Sequence, residues 1–386
     1  MEAMMGSLKV HLTRRDFMKF SGGAMGVAAA CGCCTIPLLL NSKEAYAQAL
    51  ARINLSYIFV DHQAPLMVAM HKGDAFSDFG MYLKPIIDKQ KYRLVVDGME
   101  ISDVEIIVAK SGSEAATLFA QRHINLASYS LPAAMVGIDA GTPMKILGPV
   151  HTEGLALVFP KGSGVKGWDG FVAHLKERGE PLKIGYHSPT SAPKMVLEGG
   201  MHRAGISFTS DPMDMSADVL MVDLRATSSL SPALISKQVD AWVGPSPHPQ
   251  VAEHMGTGEI ALDLRELPPQ GYWHDFPCCI IAAGDEIIQS NPDAVMGFMS
   301  LMTKTAEYCN SNMEETATIV SDWIGIPVEA ARKSTVVYTT TPSENWVRGA
   351  GVYMDVLNEM NTFNGDLKGK KIEDVMNRLF DFRFVS

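Results

Sequence analysis

The sequence predicts an α/β chain folded as two lobes, and three observations carry that prediction. From Ile53 onward, apolar runs of strand length alternate with longer stretches of helical periodicity, the pattern of βα units built on mainly parallel sheets. The chain has 386 residues, too many for one simple core even when residues 1–47 are set aside as a separate segment. Two Pro/Gly-rich stretches, Pro160-Lys161-Gly162-Ser163-Gly164 and Leu267-Pro268-Pro269-Gln270-Gly271, read as the places where the chain crosses to a second lobe and prepares to return. The expected organisation is therefore a leading segment over 1–47, a first lobe over 48–157, a second lobe over 158–276, and a return to the first lobe with C-terminal helices over 277–386.

The elements follow in order. Ile53–Val60 is expected as a strand, and Pro65–Lys72 as a helix that begins on proline. Val104–Ala109 is a strand leading into Ser111-Gly112-Ser113-Glu114, where Ser111 and Glu114 have capping-box spacing and start a helix to about Arg122. Ile124–Ala127 is a short buried strand with Ser128-Tyr129-Ser130 as its exit. Pro132–Asp139 is a helix stopped at Ala140-Gly141, and Met144–Val150 returns to the sheet. Leu155–Phe159 and Leu182–Tyr186 are strands, with Ser188-Pro189-Thr190-Ser191-Ala192 as a loop before the helix Pro193–Ala204. A helix over Pro232–Lys237 and a strand over Val239–Val243 follow, and the chain is helical from Asn291, with starts at Asn291-Pro292 and Pro342-Ser343-Glu344.

The leading segment has a different grammar. Thr13-Arg14-Arg15-Asp16-Phe17-Met18-Lys19 precedes an uncharged Gly/Ala-rich stretch from Phe20 to Leu40 and a small-x-small site at Ala45-Tyr46-Ala47. The segment resembles a twin-arginine export signal, carried by Arg14, Arg15 and Phe17. That resemblance implies passage through the Tat translocase in a folded state, cleavage after Ala47, and a periplasmic or cell-envelope location. Two other fates stay open: acylation of Cys31 after Ala28-Ala29-Ala30, or retention of the uncharged stretch as an anchor, against which Gly22, Gly23, Gly26 and Pro37 argue.

The formal net charge of −10 makes nucleic acid an improbable partner. Cys31, Cys33 and Cys34 fall in the leading segment, while Cys278, Cys279 and Cys309 leave two possibilities, one bridge to Cys309 or three buried thiols. No H-E-x-x-H or His-x-His occurs, and His248 and His254 are poorly spaced for a shared ion, so no metal and no cofactor is predicted. The 24 methionines, Met213 and Met215 included, are expected to fill core.

In open α/β sheets ligands bind beyond the carboxyl ends of strands, where free N–H groups of helix N-termini point into the crevice. The strand exits therefore nominate His62, Ser111, Ser113, Ser128, Tyr129, Ser130, His151, Ser188, Thr190, Ser191 and Trp242 as ligand-binding residues. Hydroxyls at several helix starts suit a small oxyanion or polar headgroup without a lysine. For any single Ser or Thr, helix capping is the competing role, and for Tyr129 and Trp242 core packing is the equal alternative. No residue is nominated as catalytic.

The order of residues resembles the nitrate/sulfonate/bicarbonate-type substrate-binding proteins of ABC importers. The resemblance spans most of 53–360 and is carried by Gly112-Ser113-Glu114-Ala115-Ala116, Arg122-His123-Ile124-Asn125-Leu126-Ala127, Ala140-Gly141-Thr142-Pro143, Lys183-Ile184-Gly185-Tyr186, Lys237-Gln238-Val239-Asp240-Ala241-Trp242 and Phe276-Pro277-Cys278-Cys279 before Asn291-Pro292. His123-Ile124-Asn125 departs from the family's usual Gly-x-Ile-Asp. The resemblance implies a type II periplasmic-binding fold, two Rossmann-like lobes on a two-strand hinge, with His62, Ser113, Ser128, Tyr129, Ser191 and Trp242 near the ligand and His151 near the hinge. It implies a monomer that captures a small molecule by lobe closure and docks on a membrane permease. Two alternatives are an enzyme on the same fold, of pyrimidine-precursor or menaquinone-pathway type, and a solute sensor or accessory protein.

Overall fold

The computed structural model describes residues 50–385. Arg14, Arg15, Phe17, Cys31 and the Ala47 cleavage site lie outside the described residues. Among the described residues no helix is long and apolar enough to cross a membrane.

Strand β1 (Ala51–Ile58) leads through a 3-10 turn at Asp61–Gln63 into α1 (Ala64–Lys72). A hairpin-like run of β2 (Met81–Ile87), β3 (Lys91–Val96) and β4 (Met99–Ala109) follows, then α2 (Gly112–Ala120), β5 (Leu126–Ser130), α3 (Leu131–Asp139), β6 (Met144–Pro149) and the short β7 (His151–Thr152). Next come β8 (Leu155–Phe159), α4 (Gly167–Lys176), β9 (Leu182–Tyr186), α5 (Ala192–Arg203), β10 (Phe208–Thr209), β11 (Val219–Asp223), α6 (Leu230–Ile235), β12 (Ala241–Pro245), α7 (His248–Met255) and β13 (Glu259–Asp263). The chain then returns through β14 (Cys279–Gly284), α8 (Asp285–Ser290), α9 (Pro292–Ser311), α10 (Met313–Ile324), α11 (Val328–Ala331), β15 (Val337–Tyr338), α12 (Glu344–Glu359) and α13 (Ile372–Leu379).

Two sheets organise these elements. The first has the order β2-β3-β4-β1-β5-β14-β6 and the second β10-β11-β9-β12-β8-β13, while β7 and β15 form a separate pair. Within the first sheet β1 runs parallel to β4 and β5, but β14 is antiparallel to both β5 and β6. In the second, β9 is parallel to β11 and β12, but β8 is antiparallel to β12 and β13. Of the antiparallel strands, β3 is turned round by the hairpin-like run β2–β3–β4, while β14 and β8 are the strands that follow a crossing. A strand in a βα unit runs towards the crevice, whereas a strand whose chain has just crossed starts at the crevice and runs away from it. The sheets are therefore mixed, a correction to the mainly parallel expectation.

The first crossing also lies earlier than Pro160–Gly164. Strand β8 already belongs to the second sheet, so the chain leaves the first at Glu153-Gly154, and Pro160–Gly164 is a turn after β8. The two crossing segments touch each other. Thr152 forms an antiparallel bridge with Pro277, and the Asp275 N–H donates to the Glu153 carboxylate at 2.6 Å.

Local signals explain most helix starts. The Ser111 Oγ accepts from the Glu114 N–H at 3.2 Å, as the capping box requires, but the Glu114 carboxylate reaches back to the Lys110 N–H at 2.5 Å, one residue before the cap. Ser343 caps α12 by accepting from the Trp346 N–H at 3.0 Å. Buried apolar side chains from both sheets merge into one large cluster, and a satellite cluster forms around Trp242 with Val158, Leu230 and Leu234. Met213 and Met215 are exposed and fill no core.

Candidate functional site

The mixed topology brings both sheets' working ends to one crevice. The carboxyl end of β1 delivers Asp61, His62 and Gln63, that of β9 delivers His187 to Ser191, and that of β12 delivers Ser246 to His248. Strand β14 contributes its amino end, Cys278 and Cys279, because it starts at the crevice. A cavity of about 360 Å³ lies between these ends, lined in part by Val60, His62, Gly112, Ser130, His187, Ser191, Cys278 and Cys279. That figure includes space open to solvent, and the enclosed part has room only for a water-sized guest as the lobes stand here. Among the described residues no Lys, Arg, Asp or Glu side chain lines the cavity.

Hydroxyls join the two lobes directly across the crevice. Ser113 Oγ lies 2.7 Å from Ser188 Oγ and 3.0 Å from Thr190 Oγ1, and Ser130 Oγ donates to the Thr190 carbonyl at 3.2 Å. Deeper in, the Asp61 carboxylate accepts from Ser246 Oγ and from Ser334 Oγ, both at 2.6 Å. Several buried polar atoms beside these bonds have no partner: the Ser128 and Ser191 hydroxyls, both amide atoms of Gln63, His187 Nδ1 and His248 Nε2. Buried polar groups are almost always hydrogen-bonded, so such a concentration marks a place where a ligand completes the bonding.

Four buried side chains form a second feature at the cavity floor. His62 Nδ1 lies 3.6 Å from Cys278 Sγ and 3.7 Å from Cys279 Sγ, and the two sulfurs are 3.9 Å apart. The His151 ring packs against His62 with centroids 3.9 Å apart. Each imidazole is oriented by a backbone carbonyl of the first crossing: His62 Nε2 bonds the Gly154 oxygen at 3.2 Å, and His151 Nδ1 the Thr152 oxygen at 3.1 Å. Gly154 suits this role because its φ is +80° and an added Cβ would stand 2.6 Å from Val336 Cγ2 and 3.0 Å from His62 Nε2. Cys278, Cys279 and Cys309 are all free and buried, which settles the disulfide question left by the sequence.

The electrostatics of this floor are uneven. Burial works to lower the His62 pKa, but the Cys279 sulfur, Asp61 and the Gly154 carbonyl outweigh it and the value is raised. The Cys279 thiol is held well below the usual thiol range by the bond from the Cys278 thiol, against burial and with help from His151 and His62. Burial pushes Cys278 the other way, well above that range.

His187 and His248 are neutral instead, pushed down by burial to about 3 and about 4. A histidine whose folded pKa is depressed contributes stability that is complete above its unfolded pKa and is lost as pH falls towards the folded value. Between pH 6.5 and pH 4 we expect the chain to lose on the order of 2–5 kcal/mol from these two groups. The check is a series of urea midpoints against pH, in which His187→Gln should flatten the acid limb. An unchanged slope would show that His187 does not titrate on unfolding.

The structure brings together His62, Ser113, Ser130, His151, Ser188, Thr190 and Ser191 around the crevice. Ser111 serves as a helix cap, the competing role weighed for it. Tyr129 and Trp242 are corrections, since neither lines the cavity. Tyr129 is fully buried with its hydroxyl on Met144 Sδ at 3.3 Å, and Trp242 is fully buried in the satellite cluster of the second lobe. Both strands are buried on both faces, and alternation turns each aromatic ring to the face away from the cavity. Cys278, Cys279, His187, His248, Asp61 and Gln63 were not nominated. The signal that could have found them is their shared position at strand ends facing one crevice.

A family model described as the NMT1-like family matches residues 47–325. An uncharacterised protein of Methanocaldococcus jannaschii is 32% identical over 111 residues, which is 28% of this chain and 77% of that protein. Among solved structures, a ligand-binding component of an ABC-type import system from Staphylococcus aureus, with zinc bound, superposes with a TM-score of 0.66 at 15% identity, covering 86% of this chain and 97% of that one. The periplasmic nitrate-binding protein NrtA of Synechocystis PCC 6803 gives 0.65 at 14% identity, covering 87% of each chain. The alkanesulfonate-binding protein SsuA of Xanthomonas axonopodis pv. citri, bound to MOPS, gives 0.61 at 12% identity, covering 81% and 94%.

Proposed function

The chain belongs to the NMT1-like family, and from that premise we propose that it is an exported solute-binding protein that closes its lobes on a small polar molecule and presents it to an ABC permease. The observation that carries this reading is the crevice itself: a small cavity is lined by Ser191 and His187, whose buried Oγ and Nδ1 have no partner, and hydroxyls of the two lobes bond each other directly beside it. The fold shared with binding components of ABC importers supports it. With no charged side chain in the lining, the ligand is held by hydroxyls, by neutral imidazoles and by the N-termini of α2 and α5. An oxyanion, a sulfonate or a neutral polar headgroup fits such a set.

The test is calorimetry and small-angle scattering on purified chain without residues 1–47, using nitrate, taurine, longer alkanesulfonates and pyrimidines as the panel. One compound should bind with micromolar or better affinity and reduce the radius of gyration. A panel that produces neither heat nor any thermal shift would sink the reading.

Ser113→Ala removes two interlobe hydroxyl contacts. Each net hydrogen bond contributes roughly 0.5–1.5 kcal/mol, so the closed state loses population and the apparent Kd should rise about 5- to 150-fold. Equal affinities in the two proteins, measured by titration calorimetry, would show that the bridge does not bias closure.

A second reading draws on the Cys279–His62 pair, whose depressed thiol could act as a nucleophile beside the cavity. Turnover of any panel compound that disappears in His62→Ala would favour it over binding alone.

A further inference from the structure

We propose that His62, His151, Cys278 and Cys279 form a binding site for one tetrahedral soft metal ion, with zinc the best fit, at the floor of the crevice. The proposal goes beyond solute capture and stands on the geometry of these four side chains. Their ligand atoms all lie within 4.8 Å of one another, and the residues are almost wholly buried.

The spacing of His62 and the two sulfurs matches three edges of a coordination tetrahedron, and His151 lies within 4.8 Å of all three. With metal–sulfur bonds of about 2.3 Å and metal–nitrogen bonds of about 2.0 Å, the sulfurs stand about 3.8 Å apart and each nitrogen about 3.5 Å from a sulfur. The observed sulfur pair is 3.9 Å apart, and His62 Nδ1 is 3.6 and 3.7 Å from the two sulfurs. A disulfide does not match, because bonded sulfurs are about 2.05 Å apart. Ordinary thiol packing would not require both histidines either.

The orientation of the imidazoles supplies an independent argument. A metal-binding histidine usually donates its far N–H to a carbonyl or carboxylate, which fixes the tautomer and turns the other nitrogen's lone pair to the ion. Both rings do this here. His62 donates from Nε2 to the Gly154 oxygen and His151 from Nδ1 to the Thr152 oxygen, leaving His62 Nδ1 and His151 Nε2 as the lone-pair atoms. His151 Nε2 currently accepts only a long bond, 3.3 Å, from the Cys279 N–H.

Charge favours the same occupant. Two thiolates and two neutral imidazoles around a divalent ion sum to zero, which keeps the cost of burying the assembly low in a cavity that has no charged lining residue. Nitrogen–sulfur donor sets in tetrahedral array select zinc over the hard cations, whose preference is oxygen.

The experiment is metal analysis of the whole exported chain, reduced, exposed to excess zinc sulfate and dialysed, with cobalt(II) as a spectroscopic stand-in. We expect one zinc per chain, and a cobalt form showing tetrahedral bands with thiolate charge-transfer absorption. The double variant Cys278→Ser/Cys279→Ser should lose the thiolate bands and at least 100-fold in zinc affinity, and His151→Gln should lose about 10- to 100-fold. Cys309→Ser should behave as the parent, since Cys309 lies outside the cluster. Circular dichroism of each variant establishes folding, and the cobalt spectrum of the parent decides the ligand type without any variant. Substoichiometric zinc in the folded reduced parent, a cobalt spectrum without thiolate bands, or full zinc affinity in the double cysteine variant would each overturn the proposal.

Discussion

Lys194→Met is expected to lower stability by about 3–5 kcal/mol, the cost of leaving one member of a buried ion pair alone. Lys194 and Glu198 lie one turn apart on α5, 7% and 2% exposed, with the ammonium 2.7 Å from the carboxylate and facing the Tyr186 ring. Burial raises the Glu198 pKa, and the Lys194 charge and hydrogen bond only partly oppose it. Desolvation therefore outweighs attraction at this carboxyl. A carboxyl whose folded pKa is raised makes the native state bind protons first, so stability falls as pH rises through the unfolded and then the folded value. The loss in Lys194→Met should accordingly be greater at pH 8 than at pH 5, because protonation rescues the lone Glu198. The double variant Lys194→Met/Glu198→Leu should recover the parent's stability or exceed it by about 1–4 kcal/mol. Chemical denaturation at the two pH values checks all three statements. A double variant as unstable as the single one would show that the pair, and not its burial, is what α5 needs.

Asp61→Ala is expected to cost about 2–5 kcal/mol of stability and to weaken solute binding more than tenfold. Asp61 belongs to the first lobe, and the hydroxyls donating to it come from Ser246 at the end of β12 and Ser334 before β15. Hydrogen bonds to a charged partner contribute about 1.5–3 kcal/mol each, and the orphaned hydroxyls remain buried after the carboxylate is gone. Ser246 retains a contact with Gln250 at 3.1 Å, which limits the loss on that side. The affinity change follows from geometry, since one of the two donors is in the opposite lobe and helps hold it closed. Thermal melts and ligand titrations on the same preparation separate the two effects. A stability loss with unchanged Kd would mean that Asp61 braces the first lobe without biasing closure.

The elements that sequence reasoning placed well are those whose signal is local. Leu155–Phe159 is an apolar run buried on both faces, Leu182–Tyr186 is buried but for Lys183, and both form strands over those residues. Ser111 and Ser343 announce helix starts through their own side chains. The hairpin β2–β3 was missed because Met81–Ile87 is largely solvated, carries Lys84 and Pro85, and shows no clean alternation. The helix α4 was missed although Trp168, Phe171, Val172 and Leu175 repeat at helical spacing and pack on the core; of these only Phe171 is fully buried, and the glycines at 167 and 170 weaken the local helix signal.

The site divides along the same line. Hydroxyls at strand exits were visible because they sit beside turn residues. The histidine–cysteine cluster was not, since its members come from just beyond β1, from β7 and from the start of β14, and only the tertiary fold makes them neighbours. Metal spacing rules read ligands along one helix or one loop. A site assembled across three strand ends has no spacing to read.

The bridge between Thr152 and Pro277 carries a mechanical consequence. Two short tethers lying side by side resist shear and twist but bend readily about the line they share, so closure of the lobes is expected to turn about that line. His151 immediately precedes Thr152, and Cys278 immediately follows Pro277. The cluster therefore sits at the fulcrum. A bond there has almost no moment arm and sets the stiffness of the joint, whereas a bond across the jaws, such as Ser113 to Ser188, has leverage and sets how far they stand apart.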